Sequence, residues 1–325
     1  MKYGIIGTGW IAESFIEGVR RKTGSEIAAV YSRTEQKGNQ FAEKNKIPSV
    51  FTGLDEFLAA DFDSVYIASP NILHYEQSVR CLKAGKNVIC EKPVTVTPAQ
   101  YLDCRRLADE KGLVYLEAIM YMHTPHRKIL REALNEIGTI TSAHFDFSQL
   151  SSKYPAFLRG ENPNIFNPSL ATGCLMDLGV YCVYPAVDLF GLPDNITADA
   201  VFLSTGADGS GNASLNYTGK IVTLTYSKTG QDYVGSSIFG DKGTINIESI
   251  SKLINGRVFD SGGNLRIIIP DMEKPDIMGY EALDFEKYIA GENLDEYREA
   301  GDTSLKVSQI METIRQKANI RFTAD

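Results

Sequence analysis

Gly7-Thr8-Gly9-Trp10-Ile11-Ala12 follows the apolar run Tyr3–Gly7 and opens the helical pattern IAESFIEGVRRK. No other feature restricts the N-terminal part of the chain as much. In a G-x-G-x-x-A between a strand and a helix, the first glycine permits a tight turn and the second lets main chain approach a pyrophosphate. The small third residue lets the helix pack on the strand. N–H groups and the dipole at the helix start complete an anion site. A chain with this junction is expected to form a doubly wound parallel sheet that binds a dinucleotide.

The pattern continues in that sense to about residue 120. Strand-like runs at 26–32, 49–51, 64–69, 87–92 and 114–118 alternate with segments of helical period, one of them from His74 to Ala84. Beyond Gly138 the runs TITSAHFDFSQ, ITADAVFLS, NASLNYTG, KIVTLTYS, YVGSSIFG, GTINIES and NLRIIIP follow one another across Gly/Asp/Ser/Asn turns. Such runs predict an antiparallel sheet. A long helix is expected from about Leu170 to Phe190, with closing helices near 280–290 and 304–318. The stretch Ser204–Ser214 reads as a mobile turn. The expected architecture is therefore α/β: a doubly wound Rossmann domain over 1–120, and an α+β domain with an antiparallel sheet over 121–325.

Composition narrows the partners. Thirty-three Lys and Arg against 41 Asp and Glu give a net charge of −8, which opposes organised binding to nucleic acid or anionic lipid. No apolar run approaches the ~18 residues of a membrane span, and the start MKYGIIG reads as a first strand, without a signal-peptide pattern. Five cysteines, Cys81, Cys90, Cys104, Cys174 and Cys182, lack any CxxC pair and read as reduced thiols. A cytoplasmic location is expected.

Where an NAD site usually presents an acid to the ribose, about 20 residues past the fingerprint, the chain has Ser32-Arg33-Thr34. Arg33 can pair with a 2′-phosphate, and Ser32 and Thr34 can hydrogen-bond it, so NADP(H) is favoured, with NAD(H) possible. A solvated charge at a helix start is the plain alternative for Arg33. The fifth strand runs into Glu91-Lys92-Pro93, which puts Lys92 at the carboxyl edge of the sheet, where doubly wound folds bind ligands. A lysine there can donate a proton or polarise a carbonyl. In the 170–190 helix, Asp177, Tyr181, Tyr184 and Asp188 are spaced to share one face. This polar stripe on an otherwise apolar helix suggests a cleft wall. Tyr181 is the candidate acid/base beside a cationic lysine, and Asp177 the candidate orienting group; tyrosines buried for packing are the competing account.

These residues, with Ala68-Ser69-Pro70-Asn71 followed by His74, Glu117-Ala118-Ile119-Met120-Tyr121, and Gly173-Cys174-Leu175-Met176-Asp177-Leu178-Gly179-Val180-Tyr181, resemble the Gfo/Idh/MocA oxidoreductase family across essentially the whole chain. The resemblance implies hydride transfer between a nicotinamide cofactor and a sugar, polyol or related alcohol, with the lysine of E-K-P, here Lys92, as a catalytic residue. It also implies a second domain with a large, open, mostly antiparallel sheet, dimers or tetramers built through that sheet's exposed face, a cis bond before Pro93, and cofactor contacts along Ser69-Pro70-Asn71, His74 and Glu91-Lys92-Pro93. Many members carry histidine where this chain has Tyr181. That departure makes it similar to the dihydrodiol dehydrogenase, xylose dehydrogenase and glucose–fructose oxidoreductase branch. The family's Y-R-x-H-P element stands here as Tyr121-Met122-His123-Thr124-Pro125, without the arginine.

Two rival functions keep the same fold. One is a sensor that binds NADP(H) without turnover, and the other is a redox-assisted glycosidase. No metal is expected: His123 and His126, read as sharing a helix face, lack the further ligands of a tetrahedral site.

Overall fold

Tyr3, Ile5 and Ile6 are completely or almost completely buried, as a parallel strand covered on both faces requires. The computed structural model describes residues 1–322 and comprises two units. The first contains 1–123 and 273–305; the second contains 124–272 and, among the described residues, 306–322. The segment 273–305, which the sequence reading placed with the C-terminal domain, thus clusters with the nucleotide-binding unit.

In the first unit the elements run β1 (Lys2–Ile6), α1 (Trp10–Lys22), β2 (Glu26–Tyr31), α2 (Glu35–Asn45), β3 (Ser49–Phe51), α3 (Leu54–Leu58), β4 (Ser64–Ile67), α4 (Asn71–Lys83), β5 (Asn87–Glu91), α5 (Pro98–Lys111), β6 (Tyr115–Ala118) and α6 (Met120–His123). The six strands pair in parallel in the order β3-β2-β1-β4-β5-β6. The order reverses between β1 and β4, and ligands of doubly wound sheets bind outside the carboxyl ends of the strands at such a point. Gly7, Ser69 and Lys92 follow the carboxyl ends of β1, β4 and β5. Helix α4 begins at Asn71, three residues before the expected start.

In the second unit α7 (His126–Ala133), β7 (Ile140–Ser148), α8 (Tyr154–Leu158) and α9 (Val180–Phe190) precede β8 (Asn195–Phe202), β9 (Asp208–Tyr217), β10 (Lys220–Ser227), β11 (Ser236–Gly240), β12 (Gly243–Ser249), β13 (Ile254–Asp260) and β14 (Leu265–Ile269). The sheet order is β14-β13-β12-β11-β7-β10-β9-β8, antiparallel except for the β7–β10 pair. Cross-strand register places Ala143, Val222, Ile238 and Ile245 on one, buried face. The opposite face exposes Val201, Ile221, Phe239 and Ile267 from edge to edge.

Most of the stretch read as a mobile turn, from Asp208 to Ser214, is the first part of β9. Its glycines are there for packing: a Cβ on Gly211 would lie 2.6 Å from the ring of Tyr226. The helix expected from Leu170 also starts later, at a π turn over Leu175–Gly179 that passes into α9.

The chain ends with α10 (Lys274–Ile289) and α11 (Leu294–Lys317). Helix α10 packs on α1 through two facing glycines. A Cβ on Gly18 would sit 2.6 Å from the Gly279 nitrogen and 2.7 Å from the Pro275 carbonyl oxygen. Both neighbours are main chain and cannot swing aside. Gly18→Ala is therefore expected to lower stability by about 1–3 kcal/mol, because overpacking outweighs the ~1 kcal/mol that alanine gains in helix propensity. Urea unfolding with an unchanged midpoint would show that the two helices separate without cost.

Candidate active site

The loop between β1 and α1 is shaped by its first glycine. Gly7 has φ +113°, and a Cβ there would meet the Ala68 carbonyl oxygen at 2.5 Å, so no larger residue fits. At Gly9, the N-cap of α1, an added Cβ would meet nothing within 4 Å. That side of the loop is open to main-chain approach, and Ala12 is buried beneath it. A dinucleotide pyrophosphate fits this cradle, with the first N–H groups of α1 as donors. Thr8 and Ile11 are half-buried beside it, and Trp10 is exposed with the Lys274 ammonium 4.1 Å from its ring centroid.

After β2, Ser32 is buried and its hydroxyl is turned inward, donating to the Thr34 carbonyl oxygen at 2.9 Å. It shapes the bend that presents its neighbours. Arg33 and Thr34 are exposed, and no acidic side chain stands among the three.

The turn carrying Lys92 is braced from three elements. Tyr66 of β4 donates its hydroxyl hydrogen to the Glu91 carboxylate, and Glu117 of β6 accepts from the Val94 N–H at 3.0 Å. From α4, His74 has Nδ1 2.9 Å from the Pro93 carbonyl oxygen and Nε2 2.8 Å from that of Ser69. His74 is 1% exposed, and burial holds its pKa below the ordinary value. A neutral imidazole carries one N–H, so His74 donates to one of these two carbonyl oxygens and packs against the other, between the Ser69-Pro70-Asn71 loop and the lysine turn. Ser69 also donates its hydroxyl hydrogen to Gln77 at 2.6 Å. The Lys92–Pro93 peptide is cis. Among buried neighbours Glu91, Pro93 and Val94, Lys92 alone keeps partial exposure.

Burial also pushes the Glu91 carboxyl up, opposed by the Lys92 charge and the Tyr66 hydrogen bond. Glu281 of α10, 1% exposed, is raised well above the carboxylate range by burial and by the negative charge of Glu91. The Lys92 turn is thus backed by two buried acids.

In the second unit, Asp177 lies in the π turn and Tyr181 in the first turn of α9, four residues on. Tyr181 is 7% exposed and packs edge-on against Phe147, with ring centroids 5.4 Å apart. The Asp177 carboxylate, its side chain 39% exposed, accepts from the ammonium of Lys228, whose side chain is 4% exposed. Nearby, Asp208 is fully buried and accepts from the Leu175 N–H at 2.6 Å. Burial pushes its carboxyl up to about 7.

The polar stripe expected along the helix is divided. Tyr184 is fully buried, and Asp188 is held by Arg127 and Arg131 of α7, so this end of the helix is structural. Only Asp177 keeps substantial exposure. His123 and His126 do not share a helix, since α6 ends at the first and α7 begins at the second. His123 lies 3.1 Å from an Asp284 oxygen, and His126 2.8 Å from the Leu253 carbonyl oxygen. Among the described residues no cluster of three or more His, Cys, Asp or Glu is placed to hold a metal ion.

Sequence reasoning assigned no role to Tyr66, Glu117, Lys274, Glu281, Asp208 or Lys228. An acid inside a buried run, as in YLEA, is the one signal that marks Glu117. Nothing local marks the others, because their partners are distant in the chain.

Residues 1–118 match the GFO_IDH_MocA model, described as an oxidoreductase family with an NAD-binding Rossmann fold, and residues 128–246 match the GFO/IDH/MocA C-terminal domain. The chain is 38% identical over 327 residues to the scyllo-inositol 2-dehydrogenase (NADP(+)) IolU of Bacillus subtilis, covering 100% of this chain and 99% of that protein. It is 28% identical to the trans-1,2-dihydrobenzene-1,2-diol dehydrogenase of Xenopus tropicalis, covering 84% of this chain and 83% of the other. Its fold is similar to that of KijD10, a 3-ketoreductase from Actinomadura kijaniata crystallised with NADP and TDP-benzene. The TM-score is 0.85 at 22% identity, over 98% of this chain and 97% of that one.

Asp208 gives this site a pH-dependent cost. Its carboxyl binds a proton more tightly in the folded chain than in the unfolded one, where the pKa is about 3.9. Its contribution is then most favourable below about pH 4 and is lost as the pH rises through about 7. Asp208→Asn keeps an acceptor for the Leu175 N–H without the charge. Relative to the native chain, this variant should gain on the order of 1–4 kcal/mol between about pH 5 and about pH 8 in urea unfolding. A difference that stays constant with pH would count against a protonated, buried Asp208.

Proposed function

The chain belongs to the Gfo/Idh/MocA family of oxidoreductases, so we propose that it moves a hydride between NADP(H) and an alcohol or carbonyl carbon of a sugar, polyol or dihydrodiol, with Lys92, Tyr181 and Asp177 serving the substrate oxygen. The observation that carries the reading is the clamped turn after β5, which keeps Lys92 partly exposed while every adjoining residue is buried. Gly7, Thr8, Gly9, Trp10, Ile11 and Ala12 would hold the pyrophosphate, and Arg33 with Thr34 the 2′-phosphate. Ser32, on its buried hydroxyl, and His74, on the two carbonyl oxygens, support these loops from within. Ser69, Pro70, Asn71 and Glu91-Lys92-Pro93 would line the nicotinamide side. NADP(H) is favoured by the exposed arginine and the missing acid, and the relative IolU is named for NADP(+).

When bound, the nicotinamide supplies the hydride donor or acceptor. In the oxidative direction Tyr181 acts as the phenolate, whose oxygen takes the substrate hydroxyl proton to become the phenol, and the Lys92 ammonium stabilises the negative charge on oxygen. Asp177 accepts a hydrogen bond from a substrate hydroxyl and so orients the carbon to be oxidised. In reduction the same groups return the proton.

A spectrophotometric panel of scyllo-inositol, other inositols, aldoses and dihydrodiols, run in both directions with NADP(H) and NAD(H), tests the proposal. Turnover is expected with NADP(H). Lys92→Met and Tyr181→Phe should each lower kcat by about 10²- to 10⁴-fold and leave NADPH affinity within a few-fold. Arg33→Ala should remove about 10- to 100-fold of the NADP preference, the worth of a charge-assisted contact of about 1.5–3 kcal/mol. Full turnover in either catalytic variant would refute the assignment. NADPH binding without hydride exchange would favour a sensor, and glycoside cleavage without net cofactor use would favour a glycosidase.

The same reading assigns the open sheet to self-association. Ile221, Phe239 and Ile267 lie near one level of the exposed face and Val201 lies toward the other end of it, exposed apolar residues of the kind that join copies of a chain. Sedimentation should find a dimer or tetramer, with Ile221→Asp/Phe239→Asp dissociating it; a native monomer at micromolar concentration rules this out. No helix among the described residues is long and apolar enough to cross a membrane.

A further inference from the structure

A buried lysine is costly, because desolvation of the ammonium is recovered only through well-placed partners. Lys228 follows β10, and its main chain is held on both sides. Its N–H donates to the Gly209 carbonyl oxygen at 2.8 Å, and its own carbonyl oxygen accepts from the Ser151 N–H at 2.9 Å. Its side chain runs inward, so the charge is directed at the interior of the unit. There it meets the Asp177 carboxylate. The buried carboxyl of Asp208 lies within its electrostatic reach.

The pair is asymmetric. The ammonium is hidden at 4% exposure, whereas the Asp177 side chain keeps 39%. A surface ion pair would expose both ends, and a pair serving only the core would hide both. Here a fixed positive charge stands behind a carboxylate that remains accessible, four residues before Tyr181 on the same helical segment.

We propose that Lys228 is a positioning residue for the reaction, holding the Asp177 carboxylate as an oriented acceptor for the substrate hydroxyl. The inference rests on the substrate role given to Asp177 above. It adds a residue from a strand end that no site motif includes.

The test compares Lys228→Met, Lys228→Arg, Asp177→Asn and the double variant Lys228→Met/Asp177→Asn, using the panel's best substrate. Lys228→Met should lower kcat and kcat/KM alike by about 10- to 100-fold, because the lost interaction matters most in the transition state. NADPH affinity should stay within a few-fold of the native value. The double variant should be no slower than Asp177→Asn alone, since both changes break one unit. Lys228→Arg should recover activity to within about tenfold of the native enzyme.

Near-native turnover in Lys228→Met together with an inactive Asp177→Asn overturns the role of Lys228 and leaves the proposed function standing. Native turnover in Asp177→Asn removes the role of Asp177 itself, and this proposal with it. Losses that multiply in the double variant make the two residues independent and also overturn the proposal. If Lys228→Met does not fold, Lys228→Met/Asp208→Asn, which also removes the buried acid within reach of the ammonium, takes its place under the same outcomes. Failure of that variant to fold makes Lys228 a structural residue and refutes the positioning role.

Discussion

The nucleotide-binding unit depends on how the main chain is held immediately after β5. Glu91, Pro93 and Val94 are secured by Tyr66, His74 and Glu117, which come from three different elements. Each securing side chain is a buried or nearly buried polar group, and such groups are tolerated only when hydrogen-bonded. The main chain at Lys92 thus has one placement, and the lysine side chain stays partly exposed. His74 lies between the Ser69 and Pro93 carbonyl oxygens, so the loop after β4 and the turn after β5 close on one buried imidazole. Positioning of this kind, from a rigid scaffold onto a short turn, is what proton and hydride chemistry needs from a protein.

The two units use the same electrostatic device with opposite signs. Lys92 is displayed with the buried carboxyl of Glu91 behind it. Asp177 is displayed with the buried ammonium of Lys228 behind it. In each case the accessible charge belongs to a shorter-range pair whose other half has little contact with water. A charge held in this way is oriented by a low-dielectric partner and is less easily screened by salt than an ordinary surface charge. The cost falls on stability, most plainly at Asp208, whose carboxyl has no room for full solvation.

Much of this was legible before any coordinates. The strand-turn-helix glycines, the alternation of strands and helices to residue 120, and the change to consecutive strands all follow local rules of period and turn chemistry. Those rules also put Lys92 at a sheet edge and Tyr181 on a helix. They failed where packing decides the conformation. The glycines of β9 resemble a loop, yet Gly211 is small because Tyr226 lies against it. The stripe from Asp177 to Asp188 obeys helical spacing, yet Arg127 and Arg131 claim its far end.

What the sequence determined by itself is the fold class, the nucleotide-binding junction and the residue types available for chemistry, because each depends on neighbours a few positions away. What tertiary structure decided is which polar groups become partners. Tyr66 with Glu91, Glu117 with Val94, and Lys228 with Asp177 are separated by 25, 23 and 51 residues. Chain folding brings such groups together, and burial then sets their strength, since the same pair that matters little in water dominates where water is excluded. No spacing rule along a strand or helix encodes that choice.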